Sequence, residues 1–313
     1  MAKNVLVTGA AGFIGSAVAT KLAGEGWSVT ALDGLLDGLY PAEEKLARFA
    51  KLESIPGIQP VAMDLRTGDL SSLPDNINFV INEAAMPGLG PSWKDFDLYS
   101  GCNLQAVARL IEASASWPLE KFIQISTSSV YGRNAVGDED QPLKPVSPYG
   151  VTKLAAENLV LAHHRDSEFP GLVLRYFSVY GPGQRPDMAY RKFISQALHG
   201  EPITLYGSGE QSRSNTYIDD VAAVTVSALT NGDAGEIFNV AGGQERSMND
   251  AIDIIEKLSG KNLTVTRSDA ARGDQMRTFG DASKAQELLG LAPATTLEEG
   301  LAKQFAWQKD MGL

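Results

Sequence analysis

Asn4-Val5-Leu6-Val7-Thr8-Gly9-Ala10-Ala11-Gly12-Phe13-Ile14-Gly15-Ser16 decides the fold. Val5-Leu6-Val7 is a short apolar run, as expected for a strand buried on both faces. Gly9, Gly12 and Gly15 follow at three-residue spacing, and a helical pattern runs on through Ala17, Val18, Leu22 and Ala23. Strand, glycine turn and helix in that order form a phosphate cradle. The glycines allow a tight turn, close backbone approach to a pyrophosphate, and packing of helix on strand. Amides at the helix start, from Phe13 and Ile14 onward, then face the phosphates. A second strand, Val29-Thr30-Ala31-Leu32-Asp33, ends in a carboxylate at the distance where an acid bonds the adenosine ribose hydroxyls. That carboxylate repels a 2′-phosphate, so the expected cofactor is NAD rather than NADP.

The 313 residues carry a net charge of −11, which argues against a nucleic-acid groove and leaves anionic ligands to local Arg, Lys and backbone amides. No apolar run reaches the roughly 18 residues of a membrane span. The chain enters its first strand almost at once, so no signal peptide is expected. With Cys102 as the single cysteine, an intrachain disulfide and a cysteine metal cluster are excluded, and a reducing, cytoplasmic setting is expected. His163, His164 and His199 are the only histidines, so no metal site is expected. A Ser-His-Asp hydrolase is disfavoured because no Gly-x-Ser-x-Gly elbow occurs.

Further along, helices are expected at 42–52, 102–115, 149–163, 188–198, 248–258, 282–289 and 297–308. Strands are expected at 59–65, 79–82, 121–125, 171–177, 203–206, 237–240 and near 263–266. Thr216–Asp220 leads into another helix, which Asp219 and Asp220 start. The acidic stretch Gly137–Pro142 reads as a solvated loop. Strand–helix alternation without repeats predicts an α/β, Rossmann-type doubly wound parallel sheet with a smaller C-terminal lobe. The nucleotide-binding part is expected over 1–177 plus 216–241, and the second lobe over 178–215 plus 242–313. Four hydroxyls, Ser126-Thr127-Ser128-Ser129, end the fifth strand, on the side where open parallel sheets bind ligands. Tyr149 and Lys153 are four apart and share a helix face. An ammonium beside a phenol lowers its pKa from about 10, giving a usable general base.

Together these features resemble the extended short-chain dehydrogenase/reductase family, in particular its NAD-dependent nucleotide-sugar epimerases and dehydratases. The resemblance rests on Thr8-Gly9…Gly12…Gly15, Asp33, Asp64-Leu65, Ala84-Ala85, Asn103, Thr127, Tyr149, Lys153 and Leu174–Pro182, then on Arg213, Tyr217–Asp220 and Arg272-Gly273-Asp274. It implies that Asp64 and Leu65 flank the adenine and Ala84-Ala85 the pyrophosphate, with Asn103 a buried polar residue of the cofactor site. Tyr149, Lys153 and Thr127 are implied as the catalytic set. Met188, Ala189 and Phe193 would border a uracil, with Arg191 beside them, Arg213 the diphosphate, and Asp274 the nucleotide ribose. A homodimer through helices near 103–115 and 150–163 is likewise implied.

Within that family a 4,6-dehydratase carries Thr-Asp-Glu where this chain has Thr127-Ser128-Ser129, and decarboxylases carry Glu at the position of Ser129. Two serines are poor acid–base groups, which leaves C4 epimerisation of a UDP-sugar. The Gly181–Ala189 segment and Tyr40–Arg48 are similar to UDP-glucuronate 4-epimerases. Thr127, Ser128, Ser129 and Ser178 offer hydroxyls, and Arg185 charge, to a C6 carboxylate. Where uronate enzymes show Ala-Ala-Gln-Pro-Gly-Val-Arg, however, this chain reads Ala84-Ala85-Met86-Pro87-Gly88-Leu89-Gly90. A UDP-glucose or UDP-N-acetylglucosamine 4-epimerase therefore stays open, as does an NAD-binding regulator without turnover.

Overall fold

β1 (Asn4–Thr8) runs through the middle of the molecule, and its side chains divide between two apolar layers. Val5 and Val7 join Ala31, Ile81 and Ile123 on one face of the sheet. Leu6 joins Leu32, Val80 and Phe122 on the other. The period-2 alternation of a strand places them so, and apolar residues on both faces demand cover on both. The structure is a computed structural model that describes residues 3–37, 41–242, 244–269 and 275–313.

After β1 come α1 (Phe13–Gly24), β2 (Ser28–Asp33), α2 (Ala42–Glu53), β3 (Ile58–Ala62), β4 (Phe79–Asn82), α3 (Phe96–Ser100), α4 (Ala106–Ser114) and β5 (Lys121–Thr127). β6 (Asn134–Gly137), α5 (Pro148–Ser167), β7 (Gly171–Tyr176), β8 (Val179–Tyr180), α6 (Ala189–His199), β9 (Ile203–Tyr206), β10 (Ser212–Ser214) and β11 (Thr216–Tyr217) follow. The rest comprises α7 (Ile218–Asn231), β12 (Ile237–Val240), β13 (Glu245–Ser247), α8 (Met248–Ser259), β14 (Val265–Ser268), β15 (Arg277–Gly280), α9 (Ser283–Leu289) and α10 (Leu297–Asp310).

Seven parallel strands in the order β12-β7-β5-β4-β1-β2-β3 form the main sheet, so the expected doubly wound α/β fold is present. The order reverses between β1 and β4, the switch point where such sheets open a ligand crevice at their strand ends. A smaller sheet, β13-β10-β15-β6, takes β6 from the stretch assigned by sequence to the nucleotide-binding part. β6, β8, β10, β11, β13 and β15 were not expected. Each has two to four residues, too few to show a period, and their partners lie far along the chain. The strand expected over 59–65 ends at Ala62, leaving Asp64 and Leu65 in the following turn. The helix expected over 102–115 is composite, because a wide π-turn, Gly101–Gln105, separates α3 from α4.

Two buried polar systems lock the strand ends together. Thr8 donates to Asn82 Oδ1 at 2.7 Å, and Asn82 donates to Gln124 Oε1 at 2.8 Å, tying β1, β4 and β5. Beneath α5, Glu157 and Arg175 form an ion pair at 2.8 Å with both side chains 1% exposed. Ser126 of β5 donates to the same carboxylate, and Arg175 also donates to Tyr131 Oη at 2.7 Å. Glu139 is no free loop residue: its carboxylate accepts the Asn239 amide of β12 at 2.6 Å.

Replacing Arg175 by Met would strand the Glu157 charge in the core. A loss of about 3–5 kcal/mol is expected in urea unfolding. The double variant Glu157→Gln, Arg175→Met should recover much of it.

Candidate active site

The glycine turn closes on itself before it meets any ligand. Gly12 donates to Gly9 O at 2.9 Å, and Gly9 has φ +69°, a left-handed conformation natural to glycine. A Cβ on Gly15 would lie 2.3 Å from Gly9 O, so only glycine lets α1 pack this close to the turn. α1 has no side-chain cap. The first amides of a helix lack partners inside it, and here they open onto a cleft lined by Gly9, Gly12, Phe13, Ile14 and Gly15. Arg48 of α2 braces the turn, donating to Ala11 O at 3.0 Å and to Gly183 O at 3.1 Å.

Asp33 is buried and its carboxylate accepts the Ala11 amide at 2.9 Å and the Leu35 amide at 2.7 Å. A carboxylate has about four acceptor sites, so Asp33 both shapes the turn and keeps capacity for ribose hydroxyls. Asp64 and Leu65 line the same cleft. The Arg66 guanidinium, hydrogen-bonded at 2.7 Å, holds the Asp64 carboxyl below its usual range. Ala84 and Ala85 line it too, with the Ala84 amide donating to Thr8 Oγ1 at 3.1 Å. Uncapped amides, small residues and a carboxylate at the second strand's end fit a dinucleotide. The cleft measures about 1100 Å³, above the roughly 300–1,000 Å³ of common ligand sites. It has room for a second ligand.

Asn103 does not line the cleft. The π-turn aims its amide inward, where it accepts from Met86 N at 2.6 Å and donates to Met86 O at 3.1 Å and to Thr152 Oγ1 at 3.0 Å. It holds the Ala84–Met86 segment against α5, one step removed from a cofactor.

The catalytic candidates meet at the far end. Ser147 caps α5 by accepting the Gly150 amide at 3.1 Å, which sets Tyr149 in the first turn and Lys153 one turn on. Thr127 ends β5 and lines the cleft with Tyr149, and its hydroxyl donates to Ser129 Oγ at 3.3 Å. Its Oγ1 also accepts the Ser129 amide at 3.2 Å. Ser128 donates to Gln275 Oε1 at 3.1 Å. Thr127, Ser128, Ser129, Tyr149, Lys153, Ser178, Arg185, Met188 and Arg213 all line the cleft. Arg185 is held by Asp187 in a two-point pair at 2.8 and 3.0 Å.

Three expected residues face elsewhere. Arg191 donates to both Glu44 oxygens, at 2.9 and 2.6 Å, and to Gln184 O at 2.8 Å, joining α6 to α2 outside the cleft. Phe193 is core, and Ala189 packs against that core. Met188 and Lys192, one helical position earlier, take the cleft-facing side, joined by Tyr206. Asp274 lies outside the described residues, as do Tyr40, Arg272 and Gly273. Glu83, Tyr176 and Gln275 line the cleft unanticipated. An acid between the apolar strand β4 and Ala84-Ala85 was the available signal for Glu83.

The expected low phenol pKa is reversed in the chain by itself. Burial raises the Tyr149 pKa and the Glu83 charge adds to that, outweighing Arg185 and Thr127. Burial also lowers the pKa of Lys153, against the pull of Glu83 and Glu157. Cofactor-free protein should therefore show Tyr149 ionising above about pH 10, read as ultraviolet difference absorbance against Tyr149→Phe. A cationic nicotinamide in the cleft should bring that transition down. Among the described residues, no cluster of three or more His, Cys, Asp and Glu is placed to hold a metal ion. No helix among them is long and apolar enough to cross a membrane.

Known proteins agree with this geometry. Residues 5–241 match the model of the NAD dependent epimerase/dehydratase family. A Bacillus subtilis protein described as an uncharacterised UDP-glucose epimerase is 38% identical over 97% of both chains. A UDP-glucuronate 4-epimerase of Thermodesulfobacterium geofontis is 35% identical over 97% of this chain and 96% of its own. The crystal structure of a Bacillus cereus UDP-glucuronic acid 4-epimerase with UDP-glucuronic acid and NAD superposes with a TM-score of 0.95. It is 40% identical, covering 98% of this chain and 99% of its own. With the glycine turn, Asp33 and the Tyr149–Lys153 pair in one cleft, the chain belongs to the NAD-dependent epimerase/dehydratase family, and its cofactor is NAD.

Proposed function

We propose that this chain inverts C4 of a UDP-sugar and that its substrate pair is UDP-glucuronate and UDP-galacturonate. The observation that carries the epimerase reading is the cluster facing Tyr149. Thr127, Ser128 and Ser129 bring hydroxyls and no carboxylic acid to the strand end. Removal of the C5 proton and expulsion of the C6 hydroxyl need an acid–base group there. Inversion needs none.

Bound NAD supplies the hydride acceptor and, once the sugar has turned over, the donor. Tyr149 takes the proton of the C4 hydroxyl as that carbon loses hydride, and returns it when hydride comes back to the opposite face. Thr127 lowers the barrier to ionising the phenol from the end of β5, and Lys153 supplies positive charge. The turn at Gly9–Gly15, with residues 1–177 and 216–241, seats the cofactor. Residues 178–215 and 242–313 hold the nucleotide sugar, with Met188 beside the base and Arg213 at the diphosphate. Two copies of the chain pair through α4 and α5.

The uronate assignment draws on Ser129, Ser178 and Arg185, which line one cleft and offer hydroxyls and a cation to a C6 carboxylate. A second reading, a neutral UDP-hexose 4-epimerase, is favoured by the two-point hold of Asp187 on Arg185 and by Gly90 at the position where uronate enzymes carry Arg.

Incubating the purified protein, without added NAD, with UDP-glucuronate, UDP-galacturonate, UDP-glucose and UDP-N-acetylglucosamine separates the two readings by product. Interconversion of the two uronates is expected. Turnover of neutral hexoses alone would select the second reading, and a 4-keto-6-deoxy or pentose product would overturn both. Tyr149→Phe should lower turnover by about 10²–10⁴-fold with NAD still bound. Unchanged activity would remove Tyr149 as the base.

A further inference from the structure

The hydroxyls at the end of β5 are not equivalent, because a residue 147 positions further along the chain decides where the Ser128 proton points. Gln275 lies just before β15, which pairs in parallel with β6 from Arg277 opposite Asn134 to Gly280 opposite Gly137. The Met276 amide extends that pairing by donating to Arg133 O at 3.0 Å. Backbone register thereby sets the Gln275 side chain, 8% exposed, against the turn from Ser128 to Gly132.

The orientation of its amide is fixed there. Nε2 donates to Gly132 O at 2.8 Å and to Ser128 O at 3.1 Å, which uses both of its protons. The reversed amide would set Oε1 against two carbonyl oxygens, neither of which can donate. Oε1 therefore faces Ser128 Oγ at 3.1 Å. A carboxamide oxygen only accepts, so the Ser128 hydroxyl donates and its proton is spent inside the protein. Ser128 lines the cleft, and its own oxygen accepts no bond among the described residues. Thr127 gives its proton to Ser129 Oγ at 3.3 Å. The hydroxyls of Ser129 and Ser178 donate to nothing among the described residues and also line the cleft. Two free donors thus stand beside one committed acceptor.

We propose that Gln275 is a specificity-determining residue: by holding the Ser128 proton it makes Ser128 an acceptor toward the sugar, which opens the cleft to neutral hexoses with a C6 hydroxyl beside uronates. This rests on the reading of the cleft as a UDP-sugar 4-epimerase site whose strand-end hydroxyls face C6. A C6 hydroxyl brings a proton that Ser128 can accept. A carboxylate brings only lone pairs, and the lone pairs of Ser128 repel them. Ser129, Ser178 and Arg185 are left to serve the carboxylate. Without Gln275, Ser128 is free to turn its proton to the cleft and becomes one more donor for a uronate. Selectivity of this kind follows from which polar groups a substrate leaves unpaired.

The test compares kcat/KM on UDP-glucuronate and on UDP-glucose for the wild type, Gln275→Met, Ser128→Ala and the double variant, with bound NAD and the thermal midpoint measured in each. The wild type should turn over both sugars. Gln275→Met should raise the uronate-to-hexose ratio about tenfold, the worth of one hydrogen bond. Ser128→Ala should raise it too, through loss on UDP-glucose. In the double variant the ratio should equal that of Ser128→Ala, because Gln275 acts through Ser128. A wild type without turnover of UDP-glucose, an unchanged ratio in Gln275→Met, or a further shift on adding Gln275→Met to Ser128→Ala would each overturn the proposal. Should Gln275→Met not fold, having lost its bonds to Ser128 O and Gly132 O, Ser128→Ala decides alone: a loss confined to UDP-glucose upholds the role of Gln275, and an equal loss on both sugars overturns it. Absence of C4 inversion of any UDP-sugar by the wild type would instead defeat the epimerase reading itself.

Discussion

The Glu157–Arg175 ion pair sets the geometry of the site. Two charges at 1% exposure give up most of their hydration, and their attraction repays this only when every remaining donor and acceptor is engaged. Here they are. Ser126 and Arg175 saturate the carboxylate, while Tyr131 Oη and Glu139 O accept the rest of the guanidinium. Ser126 adjoins Thr127, and Glu157 lies one turn beyond Lys153 on α5. Fixing Glu157 against β5 and β7 therefore fixes the register between Thr127 and the Tyr149–Lys153 face.

A second constraint acts where the strand order reverses. The Thr8–Asn82–Gln124 ladder holds the ends of β1, β4 and β5 level, and the Ala84 amide hangs from the same Thr8. The glycine turn and the Ala84–Met86 segment thus form the two walls of one crevice, with Asn103 bracing the second wall from behind. Such a seat suits a cofactor that stays through both halves of a cycle. Side chains from β5, from the loop after β8 and from the start of α6 line the other end of that cleft.

Local spacing made much of this legible beforehand. Three glycines between a strand and a helix, and Tyr149 four residues before Lys153, carry their meaning within a few residues of chain. The sugar side was read less well, for a rotational reason. Ala189 and Phe193 are four apart, as are Met188 and Lys192, and the pairs differ by one helical position, about 100°. Sequence spacing identifies both faces of α6 but not which one is turned to the cleft. Packing of Phe193 into the core made that choice. Arg191 was misread similarly, since Glu44, its partner, lies 147 residues away.

The sequence by itself determined the doubly wound sheet, the NAD-type cradle ending at Asp33, and a family with a Tyr–Lys pair, because each depends on short-range periodicity and backbone demands. Only the tertiary structure decided the electrostatics. Burial reversed the expected acidity of Tyr149, ion pairing joined Asp187 to Arg185 and Arg175 to Glu157, and the end of β4 brought Glu83 into the cleft that Lys153 lines. A charge in a folded chain acts through its depth and its neighbours, and neither is written in local sequence.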